Sequence, residues 1–220
     1  MHLDPGKMIA LFAVWAAYFA VHSLLAALPV KRRIAGRWPR AMAYYRLGYN
    51  ALALALLAAP LGLMLAWRGP YLWRWEGPAG WIADALALAA AAGFPWTLRY
   101  YSGAEFLGLR QWREHRRTPQ DQEAFRLSPL HRFVRHPWYG LGLAILWTRD
   151  MDLALLTTAV AITIYLVVGS KLEERTLVRY HGEAYRRYLE QVPGLIPRPW
   201  RHLDREGARR LARPSGTRRP

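Results

Sequence analysis

An all-α integral membrane protein that crosses the bilayer about five times is the fold this sequence predicts, and three observations predict it. Its apolar residues, 53% of 220, come in blocks rather than evenly: 8–29, 46–67, 80–98 and 152–169 each approach the roughly 20 residues needed to cross a bilayer. A shorter apolar run, Trp138 to Trp147, lies just ahead of the last block and makes a hairpin with it. Basic residues fill the stretches between, which is why mean hydropathy is near zero at -0.05. Only helices satisfy their own backbone in lipid, so strands do not compete for these blocks.

The first helix is expected from about Met8 to Val30. It is long, lacks a strongly basic leading region and is followed by an Arg/Lys cluster, which marks a retained membrane helix rather than a cleaved signal. The second is expected from Tyr45 to Trp67 and the third from Gly80 to Leu98, the third rich in Ala and Gly that let neighbouring backbones approach closely. Glu105 to Arg117 reads as an amphipathic helix, with Thr118 to Glu123 a solvated loop. Pro137 fits the first turn of a helix, so the hairpin begins there; its first arm is too short to span fully, Thr148 to Asp152 turns, and Arg149 pairs with Asp150. The second arm returns to Gly169 and continues as a polar, amphipathic cytoplasmic helix to Gln191, stopped by Val192-Pro193-Gly194. This divides the chain into membrane helices over 1–98, a core over 99–197, and a basic, disordered tail over 198–220.

Charge orients the helices. The formal net charge of +16 would suit nucleic acid in a soluble protein, but with five crossings all basic residues except Lys7, Arg68, Arg74 and Arg149 fall on one side. The positive-inside rule makes that side cytoplasmic and puts the N-terminus outside, as expected of a bacterial inner-membrane protein bound to lipid and not to nucleic acid. Trp67, Tyr71, Trp73, Trp75 and Trp81 gather on the opposite side as an interfacial belt. With no cysteine there is no disulfide, no thiolate metal site and no cysteine nucleophile. His115, His131 and His136 lack metal-ligand spacing, so no metal is expected, and His22 reads as bonded to a neighbouring helix.

The chemistry concentrates at the mouth of the hairpin. Arg135 and His136 precede Pro137 and Tyr139, and about 35 residues later the hairpin runs out into Glu173 and Glu174. Charges at a membrane surface are retained for a partner or a ligand. On a helix from Ser170, Glu174, Leu177, His181, Tyr185 and Tyr188 share one face, and Glu173 points about 100° away. Glu174 then faces Arg135 and His136 while the tyrosines close a pocket. A plain alternative stands beside this: acids in a helix's first turn, an Arg on lipid phosphate, a His capping backbone.

Taken together, Arg135-His136-Pro137-x-Tyr139, Glu173-Glu174-x-x-Leu177, Gly182-x-x-Tyr185-x-x-Tyr188 and Val192-Pro193-x-x-Ile196-Pro197 resemble the membrane methyltransferases related to isoprenylcysteine carboxyl methyltransferase. Upstream, His22-Ser23-Leu24-Leu25, Tyr45-Arg46, Tyr49-Asn50 and Phe106 to Gln111 look more like the branch containing methanethiol S-methyltransferase. The resemblance implies S-adenosylmethionine as cofactor and a small or lipid-like acceptor, such as a thiol or a prenylcysteine-like carboxylate. It further implies Arg135, His136, Glu173 and Glu174 as catalytic residues, with Arg135 and His136 holding the cofactor's carboxylate end. Pro137, Tyr139 and Leu177 would line its cavity, and Tyr185, Tyr188, Pro193 and Pro197 would wall the adenosyl pocket. His181 and Leu141 depart from the family pattern, as does Lys171 where prenylcysteine enzymes favour Arg. Two rival expectations are a reductase of the sterol-reductase type using a nicotinamide cofactor, and a non-enzymatic accessory protein whose basic face holds anionic headgroups.

Overall fold

The computed structural model describes residues 4–117, 119 and 127–212. In chain order its elements are α1 (Pro5–Ala26), α2 (Leu28–Arg37), α3 (Met42–Ala66), β1 (Tyr71–Trp73), α4 (Gly77–Leu98), α5 (Gly103–Leu107), α6 (Leu109–Arg113), α7 (Pro137–Trp147), β2 (Met151–Asp152), α8 (Leu153–Gln191) and α9 (Arg205–Ala212). The fold is all-α apart from this two-stranded ribbon. Among the described residues, α1, α3, α4 and α8 are long and apolar enough to cross a membrane. The expected count of about five depends on α7, whose 11 residues rise only about 16 Å. Most of the expected solvated loop after Thr118 lies outside the described residues.

The described residues fall into two compact units, one made of 4–74, 101–117, 119 and 150–162, the other of 75–100, 127–149 and 163–212. In the first, the Asp4 carboxylate caps α1 by accepting from Lys7 N, and Pro5 occupies the first turn. The helix stops at Ala27, whose backbone is extended, because Pro29 cannot donate to the previous turn and instead opens α2. Leu11 and Trp15 pack on Ala154 and Ala161 of α8, and Trp15 Nε1 donates to Thr158 Oγ1 at 3.0 Å. β1 and β2 run antiparallel, and fully buried Asp152 accepts from both Leu155 N at 2.8 Å and Arg68 Nε at 2.9 Å, so one carboxylate caps α8 and fixes the ribbon. His22 does bond a neighbouring helix, its Nε2 lying 2.7 Å from the Tyr49 hydroxyl of α3.

The expected amphipathic helix from Glu105 to Arg117 is two short helices broken at Gly108. Gly108 has φ +93°, and a Cβ there would meet Leu47 N at 2.9 Å. The close approach lets Arg46 Nε and Asn50 Nδ2 of α3 reach the carbonyl of Phe106, and Asn50 that of Leu107, satisfying carbonyls that a helix end leaves open. Glu105, buried, accepts from Arg110 and Arg116.

In the second unit α7 lies antiparallel along α4. Trp138 Nε1 donates to Thr97 Oγ1 at 2.8 Å, Leu141 sits over Gly93, and Arg149 pairs with Asp84 at 3.0 Å. The expected Arg149 to Asp150 pair is therefore replaced: α7 aims Arg149 back at α4, and Asp150 lies 4.0 Å from Arg74. An apolar groove of about 290 Å³ opens between α4 and α7, lined by Ala89, Ala92, Gly93, Trp96, Leu130 and Leu141. Farther along, Trp147 Nε1 donates to Thr163 Oγ1 of α8.

The tail expected to be disordered from Arg198 onward is folded over its described part. Leu203 N donates to Arg132 O, Arg132 Nε donates to Leu203 O, and Leu203, Ala208 and Leu211 pack on Tyr185, Tyr188 and Val192. Leu203, Ala208 and Leu211 of this arginine-rich stretch turn to one core, which its charge conceals in a reading by composition. Gly108→Ala is expected to lower stability by about 2 kcal/mol through backbone strain and the Leu47 contact, measured as a lower thermal unfolding midpoint in detergent.

Candidate active site

Two segments far apart in sequence build the site. Pro137 starts α7, which leaves Arg135 and His136 outside the helix before it, where their N–H groups can pair with another segment of chain. Their partner is the segment that follows α8. Pro193 ends that helix, and Arg135 N then donates to Pro193 O at 2.9 Å and His136 N to Gly194 O at 3.1 Å. Gly194 lies beside the ion pair, where a Cβ would stand 3.4 Å from the Arg135 guanidinium, an ordinary contact. A Cβ on Gly140, in the first turn of α7, would meet Leu195 O at 3.1 Å, so the strap lies directly on α7.

Side chains lock the same junction. Arg135 Nε and Nη2 both reach Glu174 Oε1, at 2.9 and 2.7 Å, and Nη1 donates to the carbonyls of Leu189 and Val192. The guanidinium thus neutralises a carboxylate and caps the C-terminal carbonyls of α8 together. His136 Nε2 lies 3.1 Å from the same Glu174 oxygen, and Lys171 Nζ lies 3.5 Å from the other. Glu173 takes the outer side: His136 Nδ1 is 3.4 Å away, and the Tyr139 hydroxyl donates to it at 3.0 Å. The imidazole stacks on the Tyr139 ring with centroids 5.2 Å apart.

Burial separates the two acids. The Glu174 side chain is 9% exposed and the Glu173 side chain 47%, so only Glu173 is open to an incoming ligand. Burial pushes the His136 imidazole down, but its hydrogen bonds to Glu173 and Glu174, with their charges, outweigh that and leave it above its ordinary 6.5. Both ring nitrogens face carboxylates, which favours the imidazolium. His131 goes the other way: burial, and then the charge of His136, lower it to about 4. It serves the local turn, its Nδ1 lying 2.7 Å from Ser128 Oγ, and its carbonyl accepts from the Tyr188 hydroxyl at 2.7 Å.

The structure brings Arg135, His136, Pro137, Tyr139, Glu173, Glu174 and Pro193 together and places others differently. Arg135 does not point outward to hold a carboxylate end, because Glu174 and two carbonyls already occupy it. Tyr185 and Tyr188 do not wall an open pocket; they are 2% and 1% exposed and form a core with Val192 and Leu203, against which Leu177 packs. The shared face expected from Glu174 to Tyr188 is interrupted at Gly182, where φ is +56° and ψ -131°. Pro197 is exposed beyond the strap. Sequence reasoning missed the backbone pairing at Gly194 and the carbonyls of Leu189 and Val192; Val192-Pro193-Gly194 registered as a helix stop, and Pro193 otherwise only as a pocket wall implied by resemblance.

A methanethiol S-methyltransferase of Mycobacterium tuberculosis (strain ATCC 25618 / H37Rv) is 30% identical over 208 residues, covering 90% of this chain and 81% of that protein. The chain belongs to the methanethiol S-methyltransferase family. Methanethiol S-methyltransferase 2 of Bradyrhizobium diazoefficiens (strain JCM 10833 / BCRC 13528 / IAM 13628 / NBRC 14792 / USDA 110) is likewise 30% identical, over 88% of this chain and 74% of its own. The likeness to the Crocosphaera subtropica (strain ATCC 51142 / BH68) member is higher, 40%, but spans 98 residues, 42% of this chain and 37% of that relative. No family model and no solved structure matches the chain.

Two outcomes are expected of this methanethiol S-methyltransferase family member. Glu174→Ala leaves Arg135 buried without its carboxylate and lowers stability by about 3 kcal/mol or more, read by thermal unfolding in detergent. For His136 the folded pKa is raised, so its contribution is complete below the unfolded value near 6.5 and is lost as pH climbs through the raised folded value. The stability gap between wild type and His136→Gln is therefore larger at about pH 6 than at about pH 9, measured as paired melting curves.

Proposed function

We propose that this protein is an S-adenosylmethionine-dependent methyltransferase of the membrane that methylates a small or lipophilic thiol, with Glu173 as the carboxylate that meets the reactants. The observation that carries this reading is the unequal pair of acids: Glu174 is consumed by Arg135, His136 and Lys171, while Glu173 stands half exposed beside the stacked rings of His136 and Tyr139. The names of the relatives supply the acceptor class and favour a transferase over a reductase or an accessory protein.

The residues fit a cationic donor on the exposed side of the cluster. A half-exposed carboxylate and an adjacent aromatic face are the groups that recognise a sulfonium or ammonium centre. Glu173 and the Tyr139 ring would hold it there; the first turn of α7, which the side chain of its N-cap residue does not cap, suits its carboxylate. Bound S-adenosylmethionine supplies an electrophilic methyl group on a sulfonium sulfur.

This chain's own groups then have three tasks. Arg135, Lys171 and the imidazolium of His136 outnumber the two carboxylates, so the local field favours a thiolate over a thiol. Glu173 would accept the thiol proton and pass it outward to water, leaving a thiolate placed for in-line attack on the methyl group that a bound donor would supply. The Arg135 to Glu174 clamp and the strap hold Tyr139 and His136 still, so that alignment does most of the work. The groove of about 290 Å³ between α4 and α7 offers an apolar acceptor a route from the bilayer.

Orientation follows from charge, with the N-terminus outside and the C-terminus cytoplasmic in a bacterial inner membrane. Counting α7 as a crossing is supported by its antiparallel run along α4, from Thr97 to Asp84.

Membranes holding the protein are expected to transfer radiolabelled methyl from S-adenosylmethionine to methanethiol or a longer-chain thiol. Glu173→Gln should lower that rate by about 100-fold or more while leaving the melting temperature close to wild type. Transfer at the wild-type rate in Glu173→Gln, or no transfer to any thiol, refutes the reading.

A further inference from the structure

Beyond the strap, the chain presents its most exposed large apolar side chains outside the membrane helices. Ile196 is 77% exposed and Trp200 78%, with Phe133 also exposed beside the Arg135 turn. These are not loose ends. Arg201 N donates to Arg198 O at 2.9 Å, closing a tight turn with Pro199 and Trp200 at its centre, the position where proline favours a turn. A ring nitrogen of His202 lies 3.1 Å from Pro199 O, and the His202 ring stacks on Phe133. Arg201 donates to Glu190 O, and Leu203 pairs with Arg132 through two bonds. The fold therefore holds an indole outward on a braced turn, where an unused tryptophan would fold inward.

Position and charge say what it meets. Leu195 O lies against Gly140 in the first turn of α7, and the apolar body of α7 begins at that level. Ile196 is the next residue. From Ile196 to Arg205 the chain carries Arg198, Arg201 and Arg205 against one acid, Asp204, and that acid is used to cap α9 through Gly207 N. Tryptophan and isoleucine flanked by arginines at the height of a membrane surface match an acyl boundary topped by anionic headgroups.

We propose that the Ile196 to Trp200 turn is a membrane wedge: Ile196 and Trp200 insert between headgroups of the adjacent leaflet, and Arg198, Arg201 and Arg205 bind the phosphates of anionic phospholipid. The wedge follows directly from the strap that pairs with Arg135 and His136, so it moors the cofactor-side junction to the bilayer.

The test uses the full chain, which has no native cysteine, so Trp200→Cys, Ile196→Cys and Glu206→Cys each give one attachment point for a nitroxide. In nanodiscs of phosphatidylcholine with phosphatidylglycerol, labels at 200 and 196 should collide preferentially with dissolved oxygen, and the label at 206 with a water-soluble nickel chelate. Replacing phosphatidylglycerol by phosphatidylcholine, or introducing Arg198→Gln, should shift position 200 toward water, the arginine change by about fivefold in the inserted-to-withdrawn ratio. Labels at 196 and 200 as water-exposed as 206 would overturn the wedge and leave the turn to a soluble partner. Equal insertion in neutral and anionic bilayers would overturn the recognition of anionic lipid. None of these readouts requires methyl transfer.

Discussion

A single buried ion pair, Arg135 with Glu174, organises everything on this side of the hairpin. A pair of this kind adds little net stability over a well-packed apolar substitute, because desolvation offsets most of the attraction. Its value is registry. The guanidinium reaches Glu174 and the carbonyls of Leu189 and Val192 at once, which ties the end of α8 to the start of α7. The two backbone bonds to Pro193 and Gly194 then follow from the same placement.

That registry explains a division of labour between neighbouring acids. Adjacent residues on a helix point about 100° apart, so holding Glu174 inward necessarily turns Glu173 outward. One carboxylate becomes architecture and the other faces the ligand side, with His136 bridging them through opposite ring nitrogens. Those bonds and charges raise the imidazole pKa above its ordinary value, and the ring is held between the two acids. Lys171 adds charge on the far oxygen of Glu174 without closing the approach to Glu173.

Much of this was readable in the residues, and the failures have physical causes. Long apolar blocks gave α1, α3 and α4 with ends within a few residues, because lipid leaves the backbone no other choice. Pro137 marked the start of α7 for the same kind of local reason. The pairing of Arg135 with Glu174 across 39 positions was suggested by charge, since isolated charges at a membrane surface need partners, and by the helical period that turns Glu174 rather than Glu173 inward. What periodicity could not foresee was Gly182, whose positive φ breaks the helical period between Glu174 and Tyr185, while Tyr185 and Tyr188 are buried in a core. Gly108 hid a break in the same way: the residue is visible, but the backbone of Leu47 that makes glycine necessary is supplied by a distant helix. In the tail, abundant arginine masked Leu203, Ala208 and Leu211, three apolar residues that suffice to dock a short helix on an existing core.

The closure of the strap on residues 135 and 136 also sets an order of events during synthesis. The ribosome delivers Arg135 well before Glu174, and Gly194 later still. Until those arrive, the guanidinium has no carboxylate and no helix end to cap, so it has to remain hydrated at the bilayer surface while α7 and the apolar half of α8 insert. The cluster of Arg135, His136, Glu173 and Glu174 is consequently a late product of biogenesis, assembled after the transmembrane helices are already in place.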